Sequence, residues 1–355
     1  MRYRRSEGYS TFETSYSTNA PHTKVKSSKF LRNVRYHGEV SLGTPDQKFL
    51  MLFDTSSSDS WVTCSACGNG QNFLDCSVHR FFRCDSSTTC FAPNETEFQK
   101  VYSNVEINGY MVEDIICFGN DTLRRFCTSR NQRFGCVTEE PSLLTSLPYF
   151  GVIGLGWDAG ESEEATPTQL KIPTLLQSIF SASSCHDPII AFWLNRTEQQ
   201  PSDGEIAMCG INDALHKGPF LWCSIVENQV NYWSLALDSM AVISLTIAEK
   251  GIASIDTSSP YISGPIENID FLATILGAQI VNGTYVIDCA QGLYMPPITF
   301  YINATALSIA SDEYIIKLST QQNHRGFSDG RSLATFIQHS IIAIDESVSH
   351  KPCDE

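Results

Sequence analysis

One short pattern occurs twice and constrains the whole chain. Leu52-Phe53-Asp54-Thr55-Ser56-Ser57 returns as Ser254-Ile255-Asp256-Thr257-Ser258-Ser259. Each aspartate follows apolar, strand-like residues and precedes small hydroxyl residues. A lone Asp-Thr-Ser is ordinary turn chemistry, because these side chains bond their own backbone. Two copies in matching contexts read as the halves of a duplicated molecule. At 355 residues the chain is too long for one ordinary core and fits two lobes. Each lobe would lend one carboxylate to a shared cleft.

Two carboxylates held close cannot both ionise, so one proton is shared and the pair titrates as a unit. The ionised member takes a proton from water, and the protonated member polarises a scissile carbonyl. The neighbouring hydroxyl and N–H donors are expected to orient each carboxylate and lower its pKa. This chemistry needs no metal, no cofactor and no covalent intermediate.

The rest of the chain reads as all-β. Its apolar stretches are short, rich in Val, Ile, Phe and Tyr, and broken by Gly, Pro, Asn and Ser. Lys48–Phe53, Tyr110–Phe118, Pro188–Leu194, Tyr232–Ile247 and Tyr314–Leu318 are the clearest predicted strands. Helical spacing is confined to Thr174–Phe180 and Ile266–Leu276. With 18% charged and 42% hydrophobic residues, the chain is not largely disordered. No run of 18 apolar residues marks a membrane-spanning helix. The net charge of −15 argues against a nucleic-acid surface. That charge is uneven. Residues 1–32 hold seven Lys/Arg against two Glu, a net +5, and the remainder has 17 bases against 37 acids, a net −20. The basic stretch is either a solvated tail or a segment that covers an acidic cleft. Residues 1–22 are expected to be a separate basic leader.

Five Asn-x-Thr sequons begin at Asn94, Asn120, Asn195, Asn282 and Asn303, beside thirteen cysteines. Together they point to the secretory route, hence to a secreted or lysosomal glycoprotein with disulfides. No apolar signal segment follows Met1, so the true N-terminus is expected to lie upstream. Cys64-x-x-Cys67 with Cys76, Cys84 and Cys90 offers a rival zinc site. A second tight Cys pair is missing, and the sequons favour disulfides over zinc or a redox dithiol. The odd count leaves at least one thiol without a partner in the chain. Gly326-Phe327-Ser328-Asp329-Gly330 matches the serine-hydrolase elbow pattern, but a polar, loop-like stretch precedes it and too little chain follows. Among the eight histidines none has metal-ligand spacing.

Further motifs resemble the pepsin-like aspartic proteases, from about Asn33 to nearly the end. Asn33 to Leu42 followed by Gly43-Thr44-Pro45 is similar to the family's first strand and turn. Leu52 to Val62 resembles its first active-site motif, and Ile255 to Ser259 its second. Val101-Tyr102 with Gly109 resembles the flap hairpin, and Gly151 to Gly156 the segment behind the first aspartate. Tyr232-Trp233 through Asp238 resembles the strand leading into the second half. The resemblance implies a bilobal all-β fold with a deep cleft, residues 23–192 forming one lobe and 193–355 the other. It implies an acid-active, monomeric endopeptidase that cleaves internal bonds of peptide or protein substrates, beside bulky apolar residues, with residues 1–22 as the remnant of an inhibitory pro-segment. Asp54 and Asp256 would be the dyad, and Thr55 and Thr257 would brace the two loops. Ser57 and Ser259 would hydrogen-bond the outer carboxylate oxygens. Tyr102 would close over substrate with Trp61 holding its hydroxyl.

The departures from that pattern concern geometry. Ser56 and Ser258 stand where the family has Gly after Asp-Thr, adding a side chain to the cleft floor at both sites. Ser103, Asn104 and Val105 replace flap glycines, which stiffens the hairpin. Ser332-Leu333-Ala334 replaces an apolar-apolar-Gly segment, so Ala334 is expected to press on the Asp256 loop. Cys289 lacks its usual partner. An alternative reading follows: a catalytically impaired relative that binds peptides or proteins. A purely structural glycoprotein is a third.

Overall fold

The computed structural model describes residues 22–30, 33–64, 80–93, 96–102, 105–118, 126–139, 149–156, 173–194, 204–216, 218, 220–226, 233–259, 261–281, 284–288, 294–316, 331–334 and 342–345. The first half of the chain supplies β1 (His22–Phe30), β2 (Asn33–Leu42), β3 (Gln47–Asp54), β4 (Trp61–Thr63), β5 (Glu97–Tyr102), β6 (Val105–Asp114), β7 (Ile116–Phe118), β8 (Gln132–Glu139) and β9 (Gly151–Gly154). Helix α1 (Leu175–Phe180) precedes β10 (Ile189–Leu194) and β11 (Gly204–Met208). The second half supplies β12 (Ser234–Val242), β13 (Leu245–Ser254), helix α2 (Ile266–Ile275), β14 (Gln279–Val281) and β15 (Thr284–Asp288). It ends with β16 (Ile298–Ile302), β17 (Thr305–Ile309), helix α3 (Ser311–Tyr314), β18 (Ile315–Ile316), β19 (Arg331–Ala334) and β20 (Ile342–Asp345).

Twelve strands form one sheet, ordered β20-β10-β11-β1-β2-β3-β9-β4-β8-β6-β5, with β7 paired to β2. Two four-stranded sheets, β13-β12-β16-β17 and β14-β15-β19-β18, hold the strands of the second half other than β20. The large sheet buries one core, in which Phe49, Phe53, Phe82, Phe134, Ile153 and Phe192 take part. A separate core gathers Met240, Val242, Leu272, Ile287, Ile298 and Tyr314. Two cores on two sets of strands make the all-β, bilobal architecture expected from the repeat. β3 shows why its strand is so apolar. Its last four residues, Met51 to Asp54 with the apolar run Met51-Leu52-Phe53, are all buried, as in a strand covered on both faces.

The predicted helices are both present. Thr174 caps α1, its hydroxyl accepting from the Gln177 N–H while the Gln177 side chain accepts from the Thr174 N–H. The predicted strands are refined in three places. Tyr110–Phe118 divides at Ile115, because β7 leaves β6 to pair with β2. Tyr232–Ile247 is a hairpin turning at Ile243-Ser244, closed by Val242 opposite Leu245. Tyr314 ends α3, so the last strand starts one residue later. Lys24, Lys26 and Lys29 also differ from a covering segment. They lie in β1, inserted between β2 and β11, with Lys24 in register with Glu205. The expected lobe boundary at 192/193 falls inside β10.

Disulfides Cys64–Cys136, Cys84–Cys90, Cys117–Cys127 and Cys185–Cys209 close loops of the large sheet. Cys64, Cys84 and Cys90 are thereby withdrawn from the zinc alternative. Cys289, Cys353 and the Gly326–Gly330 elbow pattern lie outside the described residues, as do the sequon asparagines other than Asn303.

The Gly43-Thr44-Pro45 turn is built around a buried acid. Asp114, fully buried, accepts from the Ser87 hydroxyl at 2.7 Å, the Thr89 hydroxyl at 2.6 Å and the Ile115 N–H at 2.8 Å. Gly43 has φ of +76°, and a Cβ there would lie 2.7 Å from the Ser87 Oγ. Removing the carboxylate takes away the acceptor of the buried Ser87 hydroxyl, of the partly buried Thr89 hydroxyl and of the Ile115 N–H. Asp114→Ala is therefore expected to cost about 3 kcal/mol, read by chemical denaturation. Ile243 carries the opposite problem: it is 78% exposed and held at φ of +58°. Ile243→Gly should stabilise the chain by about 1 kcal/mol in the same assay, because Gly accepts that backbone without strain.

Candidate active site

The two Asp-Thr-Ser-Ser segments meet. The Thr55 N–H donates to the Thr257 Oγ1 at 3.1 Å, and the Thr257 N–H donates to the Thr55 Oγ1 at 3.0 Å. Each hydroxyl passes its own proton across the seam, Thr55 to the Ile255 carbonyl and Thr257 to the Phe53 carbonyl, both at 2.7 Å. The four bonds obey a local two-fold symmetry. They fix the residues on either side of both aspartates, so the brace expected of Thr55 and Thr257 is present.

β9 holds the first segment from behind. It runs parallel to β3, with Asp54 in register with Gly154. The Leu155 N–H donates to the Asp54 carbonyl at 2.7 Å, and the Gly156 N–H to the Ser57 carbonyl at 2.8 Å. A Cβ on Gly154 would sit 2.5 Å from the Ser58 carbonyl carbon, so only glycine lets the strands approach this closely. From the second half, the buried Trp233 indole N–H donates to the Leu155 carbonyl at 2.7 Å. Its own carbonyl accepts from the Ile255 N–H at 2.9 Å. Trp233 thus links the backing of Asp54 to the strand end that carries Asp256.

The second segment has a different setting. Ser332, Leu333 and Ala334 lie in β19, with Ala334 in register with Ile315 of β18. That sheet does not contain β13, so the described pairing joins β19 to β15 and β18 rather than to the strand that leads to Asp256. The difference follows from strand partners: β19 pairs antiparallel with β15 and β18, whereas β9 pairs parallel with β3.

The serines exchange the roles expected of them. The Ser56 hydroxyl donates to Asp54 Oδ1 at 2.6 Å, and the Ser56 N–H donates to the same oxygen at 2.7 Å. Ser258 repeats this on Asp256 Oδ1, at 2.7 Å and 2.8 Å. The side chain that replaces glycine therefore folds back onto its own carboxylate. Ser57 and Ser259 do not bond the carboxylates through their hydroxyls. The Ser57 Oγ accepts from the Asp59 N–H at 3.2 Å and from the Lys100 amine at 2.6 Å. The Ser259 Oγ accepts from the Tyr261 N–H at 3.2 Å, and only the Ser259 N–H reaches Asp256 Oδ1, at 3.3 Å. A hydroxyl two residues after an aspartate closes a tighter ring with it than one three residues after, and Ser56 and Ser258 take that bond.

Asp54 is 1% exposed and Asp256 is partly exposed. Burial is the largest influence on Asp54 and pushes its pKa above the usual carboxylate range. The Ser56 hydroxyl and N–H oppose that rise, the charge of Asp256 adds to it, and the charge of Lys100 opposes it. The hydrogen bonds act in the direction the sequence suggests, but desolvation outweighs them. Asp54 Oδ2 is buried and has no hydrogen-bond partner among the described residues. A carboxyl with one oxygen doubly bonded and the other bare is an acid with one face available for chemistry.

Trp61 is buried in β4 with Leu52, Phe98, Ile107, Val137, Tyr149 and Val152. Tyr102 ends β5 opposite Val105, at the tip side of the β5–β6 hairpin. Its side chain, and residues 103–104, lie outside the described residues. Lys100, two residues before Tyr102, went unremarked in the sequence. Phe98 and Lys100 share one face of β5, and the burial of Phe98 shows that this face turns inward.

Comparison with known proteins agrees with this geometry. The eukaryotic aspartyl protease family model matches residues 35–332. The chain is 32% identical over 306 residues to Aspartic protease 3 of Caenorhabditis elegans, covering 81% of this chain and 70% of the relative. It is 28% identical over 295 residues to cathepsin D of Gallus gallus, covering 81% and 69%. It is 30% identical over 298 residues to napsin-A of Mus musculus, covering 83% and 67%. A doubled Asp-Thr-Ser-Ser motif, a reciprocal threonine brace and a family match over most of the chain lead to one assignment: the chain belongs to the eukaryotic, pepsin-like aspartyl protease family.

Proposed function

We propose that the chain is an acid-active aspartic endopeptidase in which Asp54 and Asp256 activate water against internal peptide bonds. The observation that carries this reading is the bare, buried Oδ2 of Asp54 on a loop braced to the Asp256 loop. Burial makes Asp54 the member that retains the shared proton. The carboxylate of Asp256 then takes a proton from water as the water oxygen bonds to the scissile carbonyl carbon. Asp54 donates to the carbonyl oxygen, which carries the developing charge. When the resulting gem-diol collapses, the C–N bond breaks, the proton held on Asp256 passes to the leaving amine, and a hydroxyl proton of the diol returns to Asp54, which restores the pair. Thr55 and Thr257 hold the geometry, and Ser56 and Ser258 hold each Oδ1.

Residues 23–192 and 193–355 would each contribute one aspartate, with Tyr102 closing over the substrate from the β5–β6 hairpin and Trp61 packed beneath. Apolar side chains flanking the cleaved bond suit the apolar strand ends at Phe53 and Ile255. Four disulfides among the described residues and five sequons support a secreted or lysosomal glycoprotein. The reading takes it to act as a monomer. Residues 1–22 would be removed on activation.

A second reading has one observation in its favour. The Ser56 and Ser258 hydroxyls bind carboxylate oxygens in both halves, and each such bond makes the carboxylate a weaker base. A peptide-binding relative with little turnover is the result if that loss dominates. Apolar peptides at acid pH, with and without a transition-state mimic, separate the two. Cleavage blocked by the mimic supports the enzyme. Binding of the mimic without cleavage supports the second reading.

Two outcomes are expected for Asp54→Asn. Cleavage should fall on the order of 10⁴-fold, because the pair no longer shares an ionisable proton. Stability should change with pH in a set direction. A carboxyl whose pKa is raised by folding favours the folded state at low pH and loses that support as pH rises through its folded pKa. Asp54→Asn should therefore melt higher than the native chain near pH ~7, with the difference shrinking as pH falls toward ~3.

A further inference from the structure

The inward face of β5 carries a charge where the pattern calls for an apolar residue. Phe98 on that face is buried against Trp61 and Ile107, and Lys100 lies opposite Ile107 of β6. The Lys100 side chain is only 23% exposed, and its amine reaches the Asp54 loop. The amine donates to the Ser57 Oγ at 2.6 Å and to Asp59 Oδ2 at 2.6 Å. Asp59 is 56% exposed on its side chain, so the ion pair has one foot in solvent. Such a half-exposed pair contributes little to stability by itself. Placing a lysine on a buried strand face for that return has no packing logic, which directs attention to what the charge does to its neighbours.

We propose that Lys100 is a positioning residue, which ties the β5–β6 hairpin to the Asp54 loop through Ser57 and Asp59 and sets the acidity of the aspartate pair. The proposal rests on the reading of Asp54 and Asp256 as that pair. Among the described residues, the charges that act on Asp54 are Lys100 from β5 and Asp256 from the other half. Asp59, from the Asp54 loop, is paired with Lys100. From β2, His37 lies opposite Leu52 and packs on the Tyr149 ring rather than on Asp54. Lys100 is thus the cation set against two acids, and its field favours the ionised form of Asp54. The same contacts join that field to the hairpin. When β5 shifts, the amine moves relative to Ser57 and Asp59, so hairpin position and carboxyl acidity change together.

The test uses the full chain and reads Asp54 directly, by carbon NMR titration of its carboxyl, beside the pH profile of kcat/KM. In Lys100→Met and Lys100→Gln the Asp54 midpoint should rise by about half a pH unit to one unit, and both limbs of the rate profile should move to higher pH. Lys100→Arg should return the midpoint toward the native value. A merely structural lysine would alter stability or overall rate and leave the midpoint in place. Lys100→Gln is shorter by one atom but keeps a neutral donor for Ser57, so it serves where Lys100→Met does not fold. Midpoints within about 0.2 of the native value in either folded variant overturn the proposal. A native chain that cleaves nothing at any pH refutes the endopeptidase reading instead, and the NMR titration still decides the role of Lys100.

Discussion

Everything in the site depends on the reciprocal bonds between Thr55 and Thr257. Each threonine gives its hydroxyl proton to a carbonyl of the opposite half and accepts the other's N–H. Four bonds therefore satisfy two backbone donors, two backbone acceptors and two hydroxyls at the seam. Without them, the strand end bearing Asp54 and the one bearing Asp256 would be independent loops. A side chain that both accepts and donates is needed, and its branched carbon restricts rotation, so threonine suits the position better than serine. The β9 backing and the Trp233 indole then anchor the assembled seam to both halves.

The electrostatics follow from burial rather than from hydrogen bonding. Asp54 accepts two strong bonds on Oδ1, which alone would make it a strong acid. Its pKa nonetheless rises, because almost all of the side chain is out of water and Asp256 adds a like charge. Lys100 and the serine bonds set the limit on that rise. The Gly→Ser replacements thus have a chemical consequence besides a steric one. They do not obstruct the carboxylates; they bond them, and the same oxygen receives both the backbone and the hydroxyl donor in each half.

Much of this was legible before any coordinates. The doubled motif carried the two-lobed fold and both aspartates, and the backing segment Gly151–Gly156 came through resemblance. The threonine brace came through resemblance rather than through spacing. What did not come through was side-chain direction. Ser56 and Ser57 are one residue apart, and no periodicity tells which hydroxyl turns toward Asp54. Nor does the sequence say that burial outweighs two hydrogen bonds, since burial depends on strands far away in the chain. The basic stretch misled for a related reason. Charge counts suggested a cover, whereas backbone pairing puts Lys24, Lys26 and Lys29 inside the sheet. Lys100 was overlooked because a single lysine in a strand reads as a solvated face until the burial of Phe98 shows which way the strand is turned.

The central claim is that two carboxylates from two halves act as one titrating, catalytic unit. Comparing kcat/KM of Asp54→Asn, Asp256→Asn and the double substitution tests it most directly. If the pair is one unit, either single change removes nearly all of the activity and the double change costs no more than a single one. Losses that multiply in the double variant, or a single variant that retains most of its activity, would contradict the account.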